Sequence, residues 1–169
     1  MHVEIVCTGN ICRSPMAEVV LRAKLADAGI DDVEVTSSGT GGWHVGDRMD
    51  PRAAAALRRR GYDGSAHRAR QFERAADLTL AMDSGHVAEL SRRGTTAQLF
   101  AADDVPDPYY GEDEGFDEVL AQIEKGGGPG GGRRPCTRVW GRGPRRRGDH
   151  AQLGGGGINP PRPGRAHAR

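Results

Sequence analysis

The chain of 169 residues has few aromatic residues, few cysteines and no long apolar run. Aromatic side chains make up 5% of the sequence, and the mean hydropathy is −0.62. No stretch approaches the ~18 consecutive apolar residues that cross a bilayer. The first six residues lack the basic region and the long apolar segment of a secretory signal. Three cysteines are too few for a disulfide framework. We therefore expect a cytoplasmic protein that binds no membrane.

The formal net charge of +1 conceals two regions of opposite sign. Residues 1–125 contain 14 basic and 22 acidic residues, a net charge of −8, whereas residues 126–169 contain ten arginines and one acid, a net charge of +9. The second region also contains 14 glycines and six prolines. Such a segment buries too little apolar surface to offset the entropy lost on ordering. We predict a globular domain at 1–125 and a disordered, basic, low-complexity tail at 126–169.

Three origins of the tail stay open. The first is a frameshift. GC-rich codons read in a wrong frame yield glycine, arginine, proline and alanine, which are common in this region. The last helical pattern also stops abruptly at Gly126, where a change of frame would interrupt it. The second is an inert disordered tail. The third is a functional tail that binds RNA or single-stranded nucleic acid through its arginines, although Trp140, its one aromatic residue, offers little base stacking.

Strand and helix patterns alternate along the first region. Short apolar runs predict strands at 3–6, 33–36, 78–82 and 97–100. Apolar spacing and capping residues predict helices at 14–28, with Ser14 as the N-cap, at 50–60 and at 84–93. A fourth helix carries the stripe Phe116, Val119, Leu120 and Ile123. This order indicates a single-domain α/β fold, a parallel sheet with helices on both faces and a ligand site at the carboxyl ends of the strands.

The link between the first strand and the first helix reads Cys7-Thr8-Gly9-Asn10-Ile11-Cys12-Arg13-Ser14, a C-x5-R-S motif. Five residues wrapped between Cys7 and Arg13 can direct successive backbone N–H groups into one hollow at the N-terminus of the helix, where an anion is favoured. Arg13 adds a planar fork of donors for two phosphate oxygens. The same positive field favours the nucleophilic thiolate of Cys7. We therefore predict phosphate binding by this loop and phosphoryl transfer through phosphocysteine, with Ser14 donating to the sulfur.

The leaving group of such a reaction needs a proton donor. Asp107, in Asp107-Pro108-Tyr109-Tyr110, follows the last predicted strand and is expected to reach the loop. A positioned carboxylic acid contributes ~10²–10⁴-fold to such a step. Taken alone, an Asp-Pro pair is an ordinary turn element, so this role depends on the first motif.

These segments resemble the low-molecular-weight protein tyrosine phosphatases along nearly all of residues 1–125. The matching segments are Cys7–Glu18, Ser37–Thr40, His67–Gln71, Ala81–Asp83 and Asp107–Gly111. The resemblance implies a four-stranded parallel α/β fold and hydrolysis of phosphotyrosine in proteins without a metal or other cofactor. It also implies that Cys7 is the nucleophile, Arg13 the phosphate clamp and Asp107 the general acid and, later, the general base.

The resemblance further implies a hydrogen-bonded network that supports the loop, formed by Asn10, Ser14, Ser37 and His67. The plainer alternative for His67 is a solvated loop histidine. Cys12 is a candidate redox partner that would form a disulfide with an oxidised nucleophile, and its alternative is an inert, packed thiol.

Three aromatic residues, Trp43, Tyr109 and Tyr110, match the walls that enclose the ring of the substrate. Trp43 could instead plug the core from its glycine-rich loop, and the two tyrosines could cover an end of the sheet.

A second enzyme family is similar in this loop and fold, the thioredoxin-coupled arsenate reductases. Their chemistry needs further cysteines for a disulfide relay, but residues 82–93 contain none and Cys136 lies in the predicted tail. Metal-dependent hydrolysis is disfavoured because the six histidines form no cluster with metal-ligand spacing. The sequence therefore favours a phosphatase whose partners are phosphotyrosine proteins.

Overall fold

Strands and helices alternate through residues 1–127, the part of the chain that the computed structural model describes. The elements are β1 (His2–Cys7), α1 (Arg13–Asp27), β2 (Glu34–Gly39), α2 (Pro51–Arg59), β3 (Leu78–Ala81), α3 (Ser84–Arg92), β4 (Gln98–Leu99) and α4 (Asp113–Gly126). The predicted α/β class and the predicted order of elements are confirmed. The predictions made for residues 128–169 lie outside the described residues.

The four strands form one parallel sheet in the order β2-β1-β3-β4. Val3 of β1 pairs with Val35 on one side and with Leu78 on the other. The chain therefore moves from β1 to one edge of the sheet and then crosses to the opposite side. Ligands of open parallel sheets bind where the strand order reverses in this way, at the carboxyl ends of the strands. In this sheet that place is the end of β1, at Cys7.

Helices cover both faces of the sheet, because Leu90 of α3 packs with Val6 and Ala81 in a second cluster apart from the main core. α1 buries Met16, Val20, Leu21 and Leu25 in the main core. The predicted apolar stripe of α4 is confirmed, since Phe116, Val119, Leu120 and Ile123 are all buried. Each fully buried side chain of this kind contributes about 1.5–3 kcal/mol, so α1 and α4 anchor the loops at the carboxyl edge firmly.

The helix ends agree with the predicted signals at most positions, with one correction. The carboxylate of Asp50 caps α2 by accepting from the backbone N–H of Arg52 at 2.8 Å, and Gly61 and Gly94 follow α2 and α3 with positive φ. The prediction of Ser14 as the N-cap of α1 is wrong, because α1 begins at Arg13 with Cys12 as its N-cap. The hydroxyl of Ser14 instead binds side chains inside the loop.

Candidate active site

The loop that joins β1 to α1 closes around a single point. Cys7 ends β1, and Asn10 in the middle of the loop has a φ of 57°, in the left-handed region that residues with a Cβ rarely adopt. Such a conformation costs about 1–3 kcal/mol and persists only where the surroundings impose it. The shape of the loop therefore depends on what holds Asn10.

The side chain and the carbonyl of Asn10 are held from several directions. Its amide Nδ2 donates to the hydroxyls of Ser14 and Ser37, both at 2.9 Å, and its Oδ1 accepts from the backbone N–H of Arg70 at 2.9 Å. His67 lies 2.7 Å from the carbonyl oxygen of Asn10 through Nε2, which therefore acts as the donor. Burial lowers the pKa of His67, which favours its neutral form. The structure thus brings the residues of the predicted network together and adds Arg70 to them.

The sulfur of Cys7 lies at the bottom of this loop. The side chain of Cys7 is 3% exposed. Its Sγ lies 3.0 Å from Oγ of Ser14 and accepts from the backbone N–H of Asn10 at 3.3 Å. The N–H of Asn10, the hydroxyl of Ser14 and the N-terminus of α1 therefore surround the sulfur, and the hydroxyl can donate to it when it is a thiolate.

Arg13 extends its guanidinium to the open side of the loop, although the residue is only 4% exposed. Nη1 donates to Asp83 at 2.7 Å and to the carbonyl of Val105 at 3.1 Å, and Nη2 donates to Asp107 at 3.1 Å. Burial alone would raise the pKa of Asp83, but hydrogen bonds from the backbone of His86 and from Arg13 outweigh it and lower that pKa. Asp83 therefore stays ionised and fixes the orientation of the guanidinium.

Asp107 lies in the loop that follows β4. Its Oδ2 accepts from Arg13, and its Oδ1 accepts from the backbone N–H of Tyr109 at 3.2 Å. The carboxyl group is 41% exposed, so water and a leaving group can both reach it. Asp107 thus lies beside the guanidinium of the loop, where a general acid is required.

A cavity of about 320 Å³ opens above the loop. Its lining residues are Cys7, Thr8, Gly9, Ile11, Cys12, Arg13, Trp43, His44, Asp107, Tyr109 and Tyr110. All of these residues except His44 were predicted as site residues. The position of His44 next to Trp43 in the sequence was the available signal for its place in the site.

The aromatic residues at the cavity are exposed. The side chain of Trp43 is 75% exposed and that of Tyr110 is 91% exposed, which excludes the alternative in which Trp43 plugs the core. The rings of Tyr109 and Tyr110 meet edge to face at 4.9 Å.

Cys12 differs from Cys7 in its surroundings, although both are free thiols. Burial raises the pKa of Cys12, and the charges of Asp50 and Cys7 raise it further. Cys12 is therefore a protonated thiol in the described state, which fits the alternative of a packed, unreactive side chain. Its predicted redox role is untested, and Cys136 lies outside the described residues.

Two residues after β3 complete the site and were not predicted as functional. His86 is buried, and its Nε2 lies 2.8 Å from Oγ1 of Thr8 in the loop. Burial lowers the pKa of His86, despite the opposing charge of Asp83. Asp83 lies directly beyond the carboxyl end of β3, beside β1, and this position was the available sequence signal for it.

Residues 1–127 contain neither a metal-binding cluster nor a membrane-spanning helix. Within this range, no group of three histidine, cysteine, aspartate or glutamate side chains could hold a metal ion. No helix of the same range has the length and apolar character to cross a membrane.

Comparison with known proteins identifies the family. Residues 2–128 match the sequence model of the family described as low molecular weight phosphotyrosine protein phosphatase. A low molecular weight protein-tyrosine-phosphatase of Streptomyces coelicolor is 48% identical over 139 residues, which cover 70% of this chain and 84% of the relative. Low molecular weight protein-tyrosine phosphatase A of Mycobacterium tuberculosis is 47% identical over 140 residues, 73% of this chain and 85% of the relative.

Solved structures agree with this assignment. The tyrosine phosphatase Wzb of Escherichia coli K30, solved in complex with sulphate, superposes with a TM-score of 0.67 at 33% identity. The superposition covers 75% of this chain and 92% of that protein. The family match decides between the two enzyme families that the sequence left as candidates. The chain belongs to the low molecular weight protein-tyrosine phosphatases, a family that hydrolyses phosphotyrosine by means of a cysteine.

Proposed function

We propose that Cys7, Arg13 and Asp107 carry out the hydrolysis of phosphotyrosine in two steps. In the first step the thiolate of Cys7 forms an S–P bond as the bond from phosphorus to the tyrosine oxygen breaks, and the carboxyl group of Asp107 gives its proton to that oxygen. In the second step Asp107 takes a proton from a water molecule, whose oxygen bonds to phosphorus as the S–P bond breaks, which releases phosphate and the thiolate of Cys7. The O–H group of Ser14, 3.0 Å from the sulfur, stabilises the departing thiolate.

Arg13 has two roles in this scheme. Its Nη2 is bound to Asp107 in the ligand-free site. A phosphoryl group in the loop is a stronger partner for the guanidinium, since it offers two oxygens in a bidentate geometry. Binding of the substrate would therefore move Arg13 onto the phosphate and release Asp107 to take up its proton. Asp83, 2.7 Å from Nη1, keeps its bond to Nη1 while Nη2 changes partner from Asp107 to the phosphate.

The substrate class follows from the walls of the cavity. Trp43, Tyr109 and Tyr110 offer aromatic surface above a deeply placed sulfur, and a phenyl ring fills such a slot. The aliphatic phosphate esters of serine and threonine are shorter and leave these surfaces uncovered. The strongest support for the proposal is that one cavity is lined by Cys7, Arg13 and Asp107 together.

The extent and location of the enzyme are also proposals. We assign catalysis to residues 1–125, a range that the family match at 2–128 supports. We infer a cytoplasmic location because a reducing compartment keeps a thiolate nucleophile from oxidation to a disulfide. The tail at 126–169 has no catalytic role in this scheme, and nucleic-acid binding by its arginines stays the alternative.

The test is hydrolysis of p-nitrophenyl phosphate across pH, with EDTA present, by the full chain and by Cys7→Ser and Asp107→Asn. We expect activity to survive EDTA, to vanish in Cys7→Ser, and to decline on both sides of a mildly acidic optimum. Asp103→Asn is the matched control, because Asp103 is an exposed acid in the same loop. Turnover by Cys7→Ser, or equal rates on phosphotyrosine and phosphoserine peptides, would refute the proposal.

A further inference from the structure

Arg52, in the first turn of α2, binds the loop that carries Asp107. Its Nη2 donates to the carbonyl of Tyr109 at 3.0 Å, and its Nη1 donates to the carbonyl of Gly111 at 3.2 Å. The guanidinium also lies 4.6 Å from the centre of the Phe116 ring, a distance at which a cation is attracted to the face of an aromatic ring. The side chain of Arg52 therefore fixes the backbone on the C-terminal side of Asp107.

The same guanidinium is tied to the phosphate-binding loop through Asp50. Nε and Nη2 of Arg52 donate to the two carboxylate oxygens of Asp50 at 3.2 and 3.0 Å. The backbone N–H of Asp50 donates to the carbonyl of Ile11 at 2.8 Å. Asp50 is 9% exposed, so this ion pair is shielded from water on one side. Arg52 is thus linked through Asp50 to the loop that holds the nucleophile.

The loop of residues 106–112 has few other anchors. Among the described residues, side-chain hydrogen bonds reach it from Arg13, to the carboxylate of Asp107, and from Arg52, to two carbonyls. In the mechanism proposed above, Arg13 leaves Asp107 when phosphate binds. Arg52 then remains the side chain that holds the loop while the acid acts. The position of Asp107 depends on that backbone directly, because Oδ1 accepts from the N–H of Tyr109.

We propose that Arg52 is a positioning residue for proton transfer: its guanidinium holds the carbonyls of Tyr109 and Gly111 so that Asp107 reaches the leaving oxygen. This inference rests on the proposed role of Asp107 as the general acid. It differs from a general stabilising role because it affects one chemical event, protonation of the leaving group. A good leaving group needs little protonation, so the effect of Arg52 should grow as the leaving group becomes more basic.

Arg59 provides a matched control on the same helix. It donates from Nη2 to Asp117 of α4 at 2.8 Å, and among the described residues its side-chain hydrogen bonds go to Asp117 and not to residues 106–112. Arg59→Gln therefore removes one guanidinium and one interhelical ion pair from α2. A loss of kcat/KM that arises only from weaker packing of α2 should appear in Arg59→Gln as well as in Arg52→Gln.

The experiment measures kcat/KM of the full chain for a series of aryl phosphates, from p-nitrophenyl phosphate to phenyl phosphate. The variants are Arg52→Gln, Arg52→Lys, Arg59→Gln and Asp107→Asn. For Arg52→Gln we expect kcat/KM to fall about tenfold or more with phenyl phosphate, which is a fraction of the general-acid effect. With p-nitrophenyl phosphate we expect kcat/KM to fall by less than about threefold. Arg59→Gln should follow the wild type across the series. The rate at which iodoacetate alkylates Cys7 should be unchanged in Arg52→Gln, because its thiolate is untouched.

Arg52→Lys keeps the positive charge next to Asp50, but one ammonium group cannot reach both carbonyls in the geometry of the fork. We expect this variant to fold and to show the same selective loss, which tests the proposal even if Arg52→Gln is unstable. An equal loss of kcat/KM on all substrates would overturn the proposal. A wild-type dependence of kcat/KM on the leaving group in either Arg52 variant would also overturn it. If Asp107→Asn itself shows no dependence on the leaving group, the assigned acid is wrong. If Asp107→Asn shows that dependence and the Arg52 variants do not, only the role of Arg52 fails.

Discussion

The strained conformation of Asn10 leads to a quantitative prediction about the phosphate-binding loop. The change is Asn10→Ala, compared with Asn10→Gly. Both variants remove the side chain that binds Ser14, Ser37 and the backbone of Arg70, and both leave the hydroxyls of Ser14 and Ser37 buried. The two variants differ in one respect, because the Cβ of alanine clashes with the backbone at a φ near 57° and glycine has no Cβ.

The magnitude follows from these contacts. Each lost hydrogen bond reduces the free energy of unfolding by about 1 kcal/mol, and a partner left buried without a replacement adds to this loss. Three bonds therefore predict a destabilisation of about 3–5 kcal/mol for Asn10→Ala. Asn10→Gly should be less destabilised by about 1 kcal/mol, the cost of the left-handed conformation for a residue with a Cβ. Both variants should lose about 10²-fold in kcat/KM, because without these three bonds the N–H of residue 10 is held less firmly toward the sulfur of Cys7.

Urea unfolding monitored by circular dichroism measures the stabilities, and p-nitrophenyl phosphate hydrolysis measures the activity. Ser65→Ala is a suitable control, because Ser65 is exposed and lies outside the network. A loss of less than about 1 kcal/mol in Asn10→Ala would show that its three hydrogen bonds contribute little. Alanine and glycine variants of equal stability would refute the argument that the loop is strained at this position.

Three further predictions follow from burial and exposure. Trp43→Ala should raise KM for p-nitrophenyl phosphate and leave the urea midpoint unchanged, because the ring is 75% exposed and lies at the cavity. The free energy of unfolding should fall as the pH decreases through about 6.5. The reason is that burial lowers the pKa of His67 and His86, so the unfolded chain binds more protons than the folded chain. Urea unfolding across pH measures this dependence, and His86→Asn should weaken it. Brief treatment with iodoacetate should alkylate Cys7 and spare Cys12, since burial raises the pKa of Cys12, and mass spectrometry of the peptides distinguishes the two.

Each of these predictions has a contradicting result. A lower urea midpoint in Trp43→Ala would mean that this ring stabilises the fold. A stability that rises on acidification through this range would contradict the buried neutral state of the two histidines. Alkylation of Cys12 at the rate of Cys7 would contradict its assignment as a packed thiol, and phosphate in the buffer should slow the reaction of Cys7 alone.

The sequence by itself determined the features that depend on neighbouring residues. The C-x5-R-S motif lies within eight consecutive residues, so the junction of strand and helix that it marks could be read from the local sequence. The stripe from Phe116 to Ile123 repeats with the period of a helix, and it packs as the pattern predicts. One of the acids in the last loop, Asp107, was predicted from its motif and lies beside Arg13.

Only the tertiary structure decided which distant residues meet at the edge of the sheet. Asp83, His86 and Arg52 are separated from their partners in the active site by 57 to 78 residues, and no local pattern shows which partners they meet. The strand order β2-β1-β3-β4 places the ends of β1 and β3 side by side, which brings Asp83 to the guanidinium of Arg13. The turn of Asn10 likewise needs Ser37, at the end of β2, and the backbone of Arg70. Periodicity and capping depend on a few successive residues, whereas these contacts depend on the order in which the strands pair, and pairing of distant segments is a property of the whole fold.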